Sequence, residues 1–285
     1  MKRKRLLLPL LSILVNHFQL CAQKPAEYIR EHAVRIEKPG SPGDSVYDLL
    51  SSFKIIMVGE VHGTNETAAF TAGLAKLFAG KGDSVLVGFE IPPVYLEKYL
   101  TDRTDSSIYA SEFFANPPYE DGKETYAWAD AIASLNSNPR VKIFFFDTFE
   151  RSGSSVLKRD SLMFVKAKDQ FIKHPGWKMI TLSGNYHNML PHDGTHTMAS
   201  YLEEDKQLNL YDKICALNQY YIRGSYINNT GNGLTLKTVD IGETIQSTAV
   251  PYDYYIMMAN PIKNYSYTGI FFCRTITPAR MVSKK

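Results

Sequence analysis

Four short apolar runs, at residues 54–58, 84–89, 141–146 and 178–183, constrain this chain more than any other feature. They read Lys-Ile-Ile-Met-Val, Ser-Val-Leu-Val-Gly-Phe, Val-Lys-Ile-Phe-Phe-Phe and Lys-Met-Ile-Thr-Leu-Ser, each bounded by turn residues. Short runs with little polar alternation are the pattern of strands buried on both faces. Between them the apolar period becomes helical: Phe70, Leu74 and Leu77 share one face after Asn65, and Val156, Met163, Ala167 and Phe171 share another. Strands alternating with helices build βαβ units. The sequence therefore predicts an α/β fold with a mostly parallel central sheet flanked by helices.

One connection does not fit a single crossover. Residues 92–138 hold Asn116-Pro117-Pro118 between two helical patterns, Val94 to Leu100 and Glu124 to Leu135, and are expected to form a helical insertion over the C-terminal ends of the strands. Further strands are expected at 213–218 and from Tyr254 to Met258, with a Gly- and Asn-rich turn around Asn228 to Gly233. Cys215 and Cys273 lie in apolar, strand-like runs, where they either pair across neighbouring strands or stay as buried thiols.

The first residues belong to another process. Lys2-Arg3-Lys4-Arg5, an apolar stretch from Leu6 to Phe18 and Leu20-Cys21-Ala22-Gln23 have the layout of a secretory leader. Pro9, Asn16 and His17 interrupt that stretch, which is shorter than the roughly 20 apolar residues of a spanning helix. Residues 1–22 are thus expected to be removed, leaving a single α/β domain over 23–285 in the periplasm or outside the cell. Membrane attachment would follow only from lipidation of Cys21, which has Leu20 before it instead of a small residue. Without the leader the 32 basic residues fall to 28 against 29 acidic ones, and no basic run is interleaved with aromatics. Nucleic acid is excluded as a partner on that ground.

In parallel α/β sheets ligands bind beyond the carboxyl ends of the strands. Here the first run leads into Glu60 and His62, the second into Glu90, the third into Asp147, and the fourth into Asn185 and His187. An acidic residue after a strand often only caps the next helix. Four consecutive strand ends carrying ionisable groups to one rim indicate a site, and Glu90, followed by Ile91-Pro92-Pro93, is poorly placed as a simple cap. Two more carboxylates, Glu66 and Asp160, fall on the apolar stripes of their helices, where a charge needs a partner. Arg159 is beside Asp160 and can pair with a carboxylate or hold an anion.

These residues resemble a known family. Val58-Gly59-Glu60-Val61-His62-Gly63-Thr64-Asn65-Glu66 looks like the Gly-Glu-x-x-His-Gly-x-x-Glu signature of the erythromycin esterase-like proteins, with one residue fewer between Glu60 and His62. That shorter spacing is closer to the related ChaN-like haem-binding lipoproteins. The likeness continues through Phe89-Glu90, Phe146-Asp147, Arg159-Asp160-Ser161-Leu162-Met163 and Ser183-Gly184-Asn185-Tyr186-His187-Asn188, and reaches Gly224-Ser225 and Tyr252-Asp253-Tyr254. It implies a catalytic or ligand-binding core of Glu60, His62, Glu90 and His187, supported by Glu66 and Arg159. Asp147 and Asp160 join the supporting set from their positions alone.

Three activities are compatible with that core. Hydrolysis of an ester or related bond leads: His62 takes a proton from water, a carboxylate orients its ring, and His187 or Arg159 meets the oxyanion. No Gly-x-Ser-x-Gly elbow is present, and this route requires no cofactor. Haem binding is the second, with Tyr186 and His187 as residue types that serve as axial ligands. The third is a divalent metal held by His62, His187, Glu60 and Glu90, a donor set suited to zinc or manganese. Peptidases of the TraB and Tiki group are similar in their Gly-x-x-His motifs, matched by Gly59 to His62 and Gly184 to His187. The partner is a small-molecule substrate in the first case and haem in the second.

Overall fold

A computed structural model describes residues 25–100, 106–148, 156–191, 194, 196–229, 231, 233–258 and 266–282. Residues 1–22, read above as a leader and including Cys21, lie outside the described residues. Among the described residues nine strands form one sheet: β1 (Val34–Ile36), β2 (Ile55–Glu60), β3 (Val85–Phe89), β4 (Val141–Phe145), β5 (Lys178–Gly184), β6 (Ile214–Asn229), β7 (Leu234–Asp240), β8 (Tyr254–Met258) and β9 (Gly269–Ile276). Its order is β1-β8-β9-β6-β2-β5-β3-β4, with β7 paired to β6. The neighbours from β4 through β3, β5, β2 and β6 to β9 all pair in parallel, whereas β8, β1 and β7 join antiparallel. The expected mixed α/β fold with a mostly parallel sheet is therefore what the chain adopts.

The helices are α1 (residues 25–32), α2 (Asp44–Leu50), α3 (Glu66–Gly80), α4 (Ser106–Tyr109), α5 (Glu112–Ala115), α6 (Tyr126–Asn136), α7 (Val156–Lys173), α8 (Met198–Glu204) and α9 (Ile245–Ala249). Because successive side chains of a strand point to opposite faces, β2 divides its residues between two cores. Ile56 and Val58 pack with Phe70 and Leu74 of α3 and with Ile132 and Leu135 of α6. Ile55 and Met57 belong to the opposite core, with Met163 and Ala167 of α7 and Met198 and Leu202 of α8. Apolar layers on both sides explain why the strand run shows no polar alternation. A third, smaller cluster joins Ile29 of α1 and Ala249 of α9 to Tyr255 and Phe272.

The segment between β3 and β4 contains 3-10 turns at Pro93–Tyr95 and Glu97–Leu100, then α4, α5 and α6. Among the described residues, no helix is long and apolar enough to cross a membrane. The strand expected at 213–218 is the start of β6, which continues to Asn229. Beyond Leu217 its side chains are mostly half-buried, so polar residues replace the apolar run while the ladder continues with β9 and β7. Asn229 Oδ1 closes the turn into β7 by accepting from Gly231 N at 2.9 Å and Gly233 N at 3.1 Å.

The two cysteines sit on adjacent strands but out of register. Cys273 lies opposite Tyr221, six positions along β6 from Cys215. At about 3.3 Å per residue that offset is far beyond disulfide reach. Both thiols are buried, and burial pushes both above the ordinary cysteine range. In protein unfolded without reductant, Cys215 and Cys273 are expected to react as free thiols with an alkylating reagent. A peptide map showing them joined would contradict this register.

Candidate active site

The β2 end and its following loop are held tightly before any chemistry is considered. Gly63 adopts φ +85°, and a Cβ there would lie 1.8 Å from the carbonyl oxygen of Ile227. Only glycine meets both conditions. The Gly63 carbonyl accepts from Ile227 N at 3.3 Å and Ala279 N at 2.9 Å, while Val61 N donates to Gln219 Oε1 at 2.6 Å. The loop that carries His62 is thereby fixed to β6 and to the C-terminal segment.

Glu60 ends β2 and is 2% exposed. His62 Nδ1 stands 2.6 Å from Glu60 Oε1 and donates to it, and Thr67 Oγ1 donates to Oε2 at 2.9 Å. Trp128 Nε1, from α6, reaches the two carboxylate oxygens at 3.1 and 3.2 Å. With its Nδ1 proton given to Glu60, His62 is left with a basic Nε2. That nitrogen lies 3.8 Å from Glu90 Oε2, and the His62 side chain is 18% exposed. A methyl group on Gly184 would come within 3.2 Å of it, so the glycine keeps the space in front of Nε2 open.

Glu90, 1% exposed, sits among donors. Its Oε1 accepts from Lys123 Nζ at 2.9 Å and Arg159 Nη2 at 2.6 Å, and its Oε2 accepts from Gly184 N at 2.7 Å. Asp147, just past β4, accepts from Arg159 Nε at 2.9 Å and from Thr148 N at 2.7 Å, with Lys123 Nζ 3.6 Å away. Arg159 Nη1 meets His187 Nε2 at 3.0 Å. An arginine nitrogen can only donate, so His187 Nε2 is the acceptor and its Nδ1 carries a proton, donated to Asp160 Oδ1 at 2.8 Å. Asp160 also accepts from Met198 N at 2.8 Å, which ties α7 to the start of α8.

These surroundings displace the titrations. Burial pushes Glu60 above the usual carboxylate range, and its bond from His62 offsets this only in part. For His62, burial acts downward, but the Glu90 charge and the Glu60 bond outweigh it and leave the imidazole above its ordinary value of 6.5. Glu90 is held well below 4.5, because the neighbouring positive charges, Lys123 foremost, overcome its desolvation. Asp147 is lowered against burial in the same way, Lys123 being the largest favourable influence.

Glu60, His62, Glu90, Asp147, Arg159, Asp160 and His187 thus converge in one linked cluster. Glu66 does not join it. Its Oε1 accepts from Thr277 N at 3.0 Å and Thr277 Oγ1 at 2.6 Å, which anchors the chain after β9. Tyr186 is 43% exposed, with its ring edge-on to His187 at 5.8 Å. Lys123, Trp128, Thr67 and Gln219 belong to the site and were not singled out from the sequence. The only available signal was the general one that a tryptophan in an apolar helical face needs an acceptor for its N–H.

Neither cofactor arrangement fits these side chains as they stand. Among the described residues no group of three or more His, Cys, Asp or Glu side chains could hold a metal ion. Two cations, Lys123 and Arg159, stand against Glu90, and both Glu90 oxygens accept hydrogen bonds. For haem, the lone pair of His187 Nε2 already faces Arg159.

The strand order and the charged rim define an α/β protein with a buried His–carboxylate site at the C-terminal ends of parallel strands. No family model matches the chain, and no curated protein sequence does. Solved structures do match. A protein from Bacillus cereus is 13% identical with a TM-score of 0.68, covering 92% of this chain and 99% of its own. A succinoglycan biosynthesis protein is 11% identical, also at 0.68, covering 91% and 98%. The erythromycin esterase EreC, a variant in its open conformation, is 12% identical at 0.62, covering 89% and 99%. The chain has an erythromycin esterase-like fold.

Proposed function

We propose that this protein is an exported hydrolase in which His62, oriented by Glu60, activates water to cleave an ester or related bond of a small molecule. The observation that carries the reading is the 2.6 Å bond from His62 Nδ1 to the buried Glu60, which leaves Nε2 at an open position. Nε2 takes a proton from water as the water oxygen adds to the carbonyl carbon. The imidazolium that forms is stabilised by Glu60 and by the ionised Glu90. Arg159 has one N–H on Nη1 beyond those engaged by Asp147, Glu90 and His187, and that donor meets the oxyanion. Collapse of the tetrahedral intermediate breaks the bond to the leaving oxygen, which takes the proton from His62 Nε2. The acid is released, and no covalent enzyme intermediate is formed. Export rests on the leader at residues 1–22, and the fold shared with an erythromycin esterase supports the reaction class.

The test is turnover of a broad panel of esters by purified protein. Because His62 must be neutral to act and its proton affinity is raised, kcat/KM is expected to rise with pH through a midpoint above 6.5. An absence of any turnover dependent on His62 across the panel would overturn the reading, as would a rate that falls as pH rises through this range.

A further inference from the structure

The reacting groups sit on strand ends, yet both carboxylates nearest His62 are also gripped from the segment between β3 and β4. Lys123 reaches Glu90, and Trp128 reaches Glu60. Lys123 and Trp128 are each 0% exposed. The Trp128 ring packs on Phe89, with centroids 5.7 Å apart, and lies edge-on to His62 at 6.4 Å. In a core, an indole N–H needs any acceptor within reach. Here the acceptor is the carboxylate that already holds His62.

We propose that Trp128 is a positioning residue of the catalytic centre: its N–H keeps Glu60 a carboxylate directed at His62 Nδ1, and so fixes His62 with Nε2 free to accept. Three donors surround Glu60: Thr67 Oγ1, His62 Nδ1 and Trp128 Nε1. The indole nitrogen differs from the others because it can never accept. A protonated Glu60 would turn a hydroxyl toward donors, so Trp128 selects the charged form and opposes the burial that favours the neutral one. It acts through Glu60, and no contact with substrate is required. The consequence for turnover rests on the hydrolase reading, whereas the effect on His62 does not.

The experiment is a nitrogen-15 NMR titration of the His62 imidazole in the full-length wild type and in Trp128→Phe, which keeps an aromatic ring and removes only the donor. In the wild type, His62 should show the tautomer protonated at Nδ1. In Trp128→Phe, Glu60 spends more time neutral, so the His62 midpoint should fall by about one pH unit, the size expected for losing one of three hydrogen bonds to a charged group. A folded variant whose midpoint stays within about 0.2 units and whose tautomer is unchanged would reduce Trp128 to packing and overturn the proposal. A second measurement keeps the native contact. Trp128 and Trp177 are the chain's two tryptophans, so in Trp177→Phe the tryptophan emission, excited selectively over tyrosine, comes from Trp128 alone. Its fluorescence should follow the His62 titration and lose that step in Glu60→Gln, and a pH-independent emission would count against the coupling. If the His62 midpoint moves but no ester is cleaved, the hydrolase reading fails and the positioning role stands.

Discussion

Replacement of His62 by alanine is expected to lower kcat/KM on any cleaved ester by about 10³-fold, within the range for loss of a positioned general base. The change removes the nitrogen proposed to accept the water proton and leaves the rest of the cluster in place. Glu60 keeps two donors, Thr67 and Trp128, and Glu90 keeps Lys123, Arg159 and Gly184 N. The fold should therefore survive, with a thermal midpoint within a few degrees of wild type. Steady-state rates and a melting curve on the same preparation separate the two effects. A variant retaining more than a tenth of wild-type activity would show that His62 is not the base.

Lys123→Met should act on stability instead. Lys123 is buried against Glu90, at 2.9 Å, Asp121, at 3.2 Å, and Asp147, at 3.6 Å, and is the largest favourable influence on Glu90 and Asp147. Removing one partner from a buried ionic cluster costs about 3–5 kcal/mol, because Glu90 and Asp147 are then two buried carboxylates left to share the single charge of Arg159. In a chain of this size that is a fall of about 10 °C in Tm. The pH dependence carries a defined sign. Glu90 is depressed in the folded state, so its contribution is complete above the unfolded value near 4.5 and is lost as pH falls through its lower folded value. The gap between wild type and variant should therefore be full at neutral pH and narrow in strong acid. Equal melting temperatures at pH 7 would mean that water or Arg159 compensates for the missing ammonium.

The parts of this molecule visible in the sequence are those decided locally. β2, β3, β5 and, except at the exposed Lys142, β4 are covered on both faces, so their apolar runs stand out from the flanking turns, and the group ending each run falls on one rim by topology. Asp160 could be read as a charge requiring a partner, and that partner is His187. Glu66 presented the same signal, yet its partner is Thr277. Periodicity reports that a face is buried and not what lies opposite it. Lys123 and Trp128 were hidden for a related reason: a lysine two residues from Asp121, which it meets at 3.2 Å, reads like any surface pair, and its other partners, Glu90 and Asp147, are 33 and 24 positions away in sequence. The second half of β6 escaped because a strand exposed on one side no longer reads as an apolar run.

Glu60 and His62 are only two positions apart, where β2 gives way to a turn, so their bond is nearly local. What the stretch from Lys123 to Trp128 adds comes from elsewhere in the chain. Regrafting the connection between β3 and β4 would exchange part of the donor apparatus that holds Glu60 and Glu90 along with the connection itself. Transplants that carry Lys123 and Trp128 across unchanged are the ones that leave that apparatus whole.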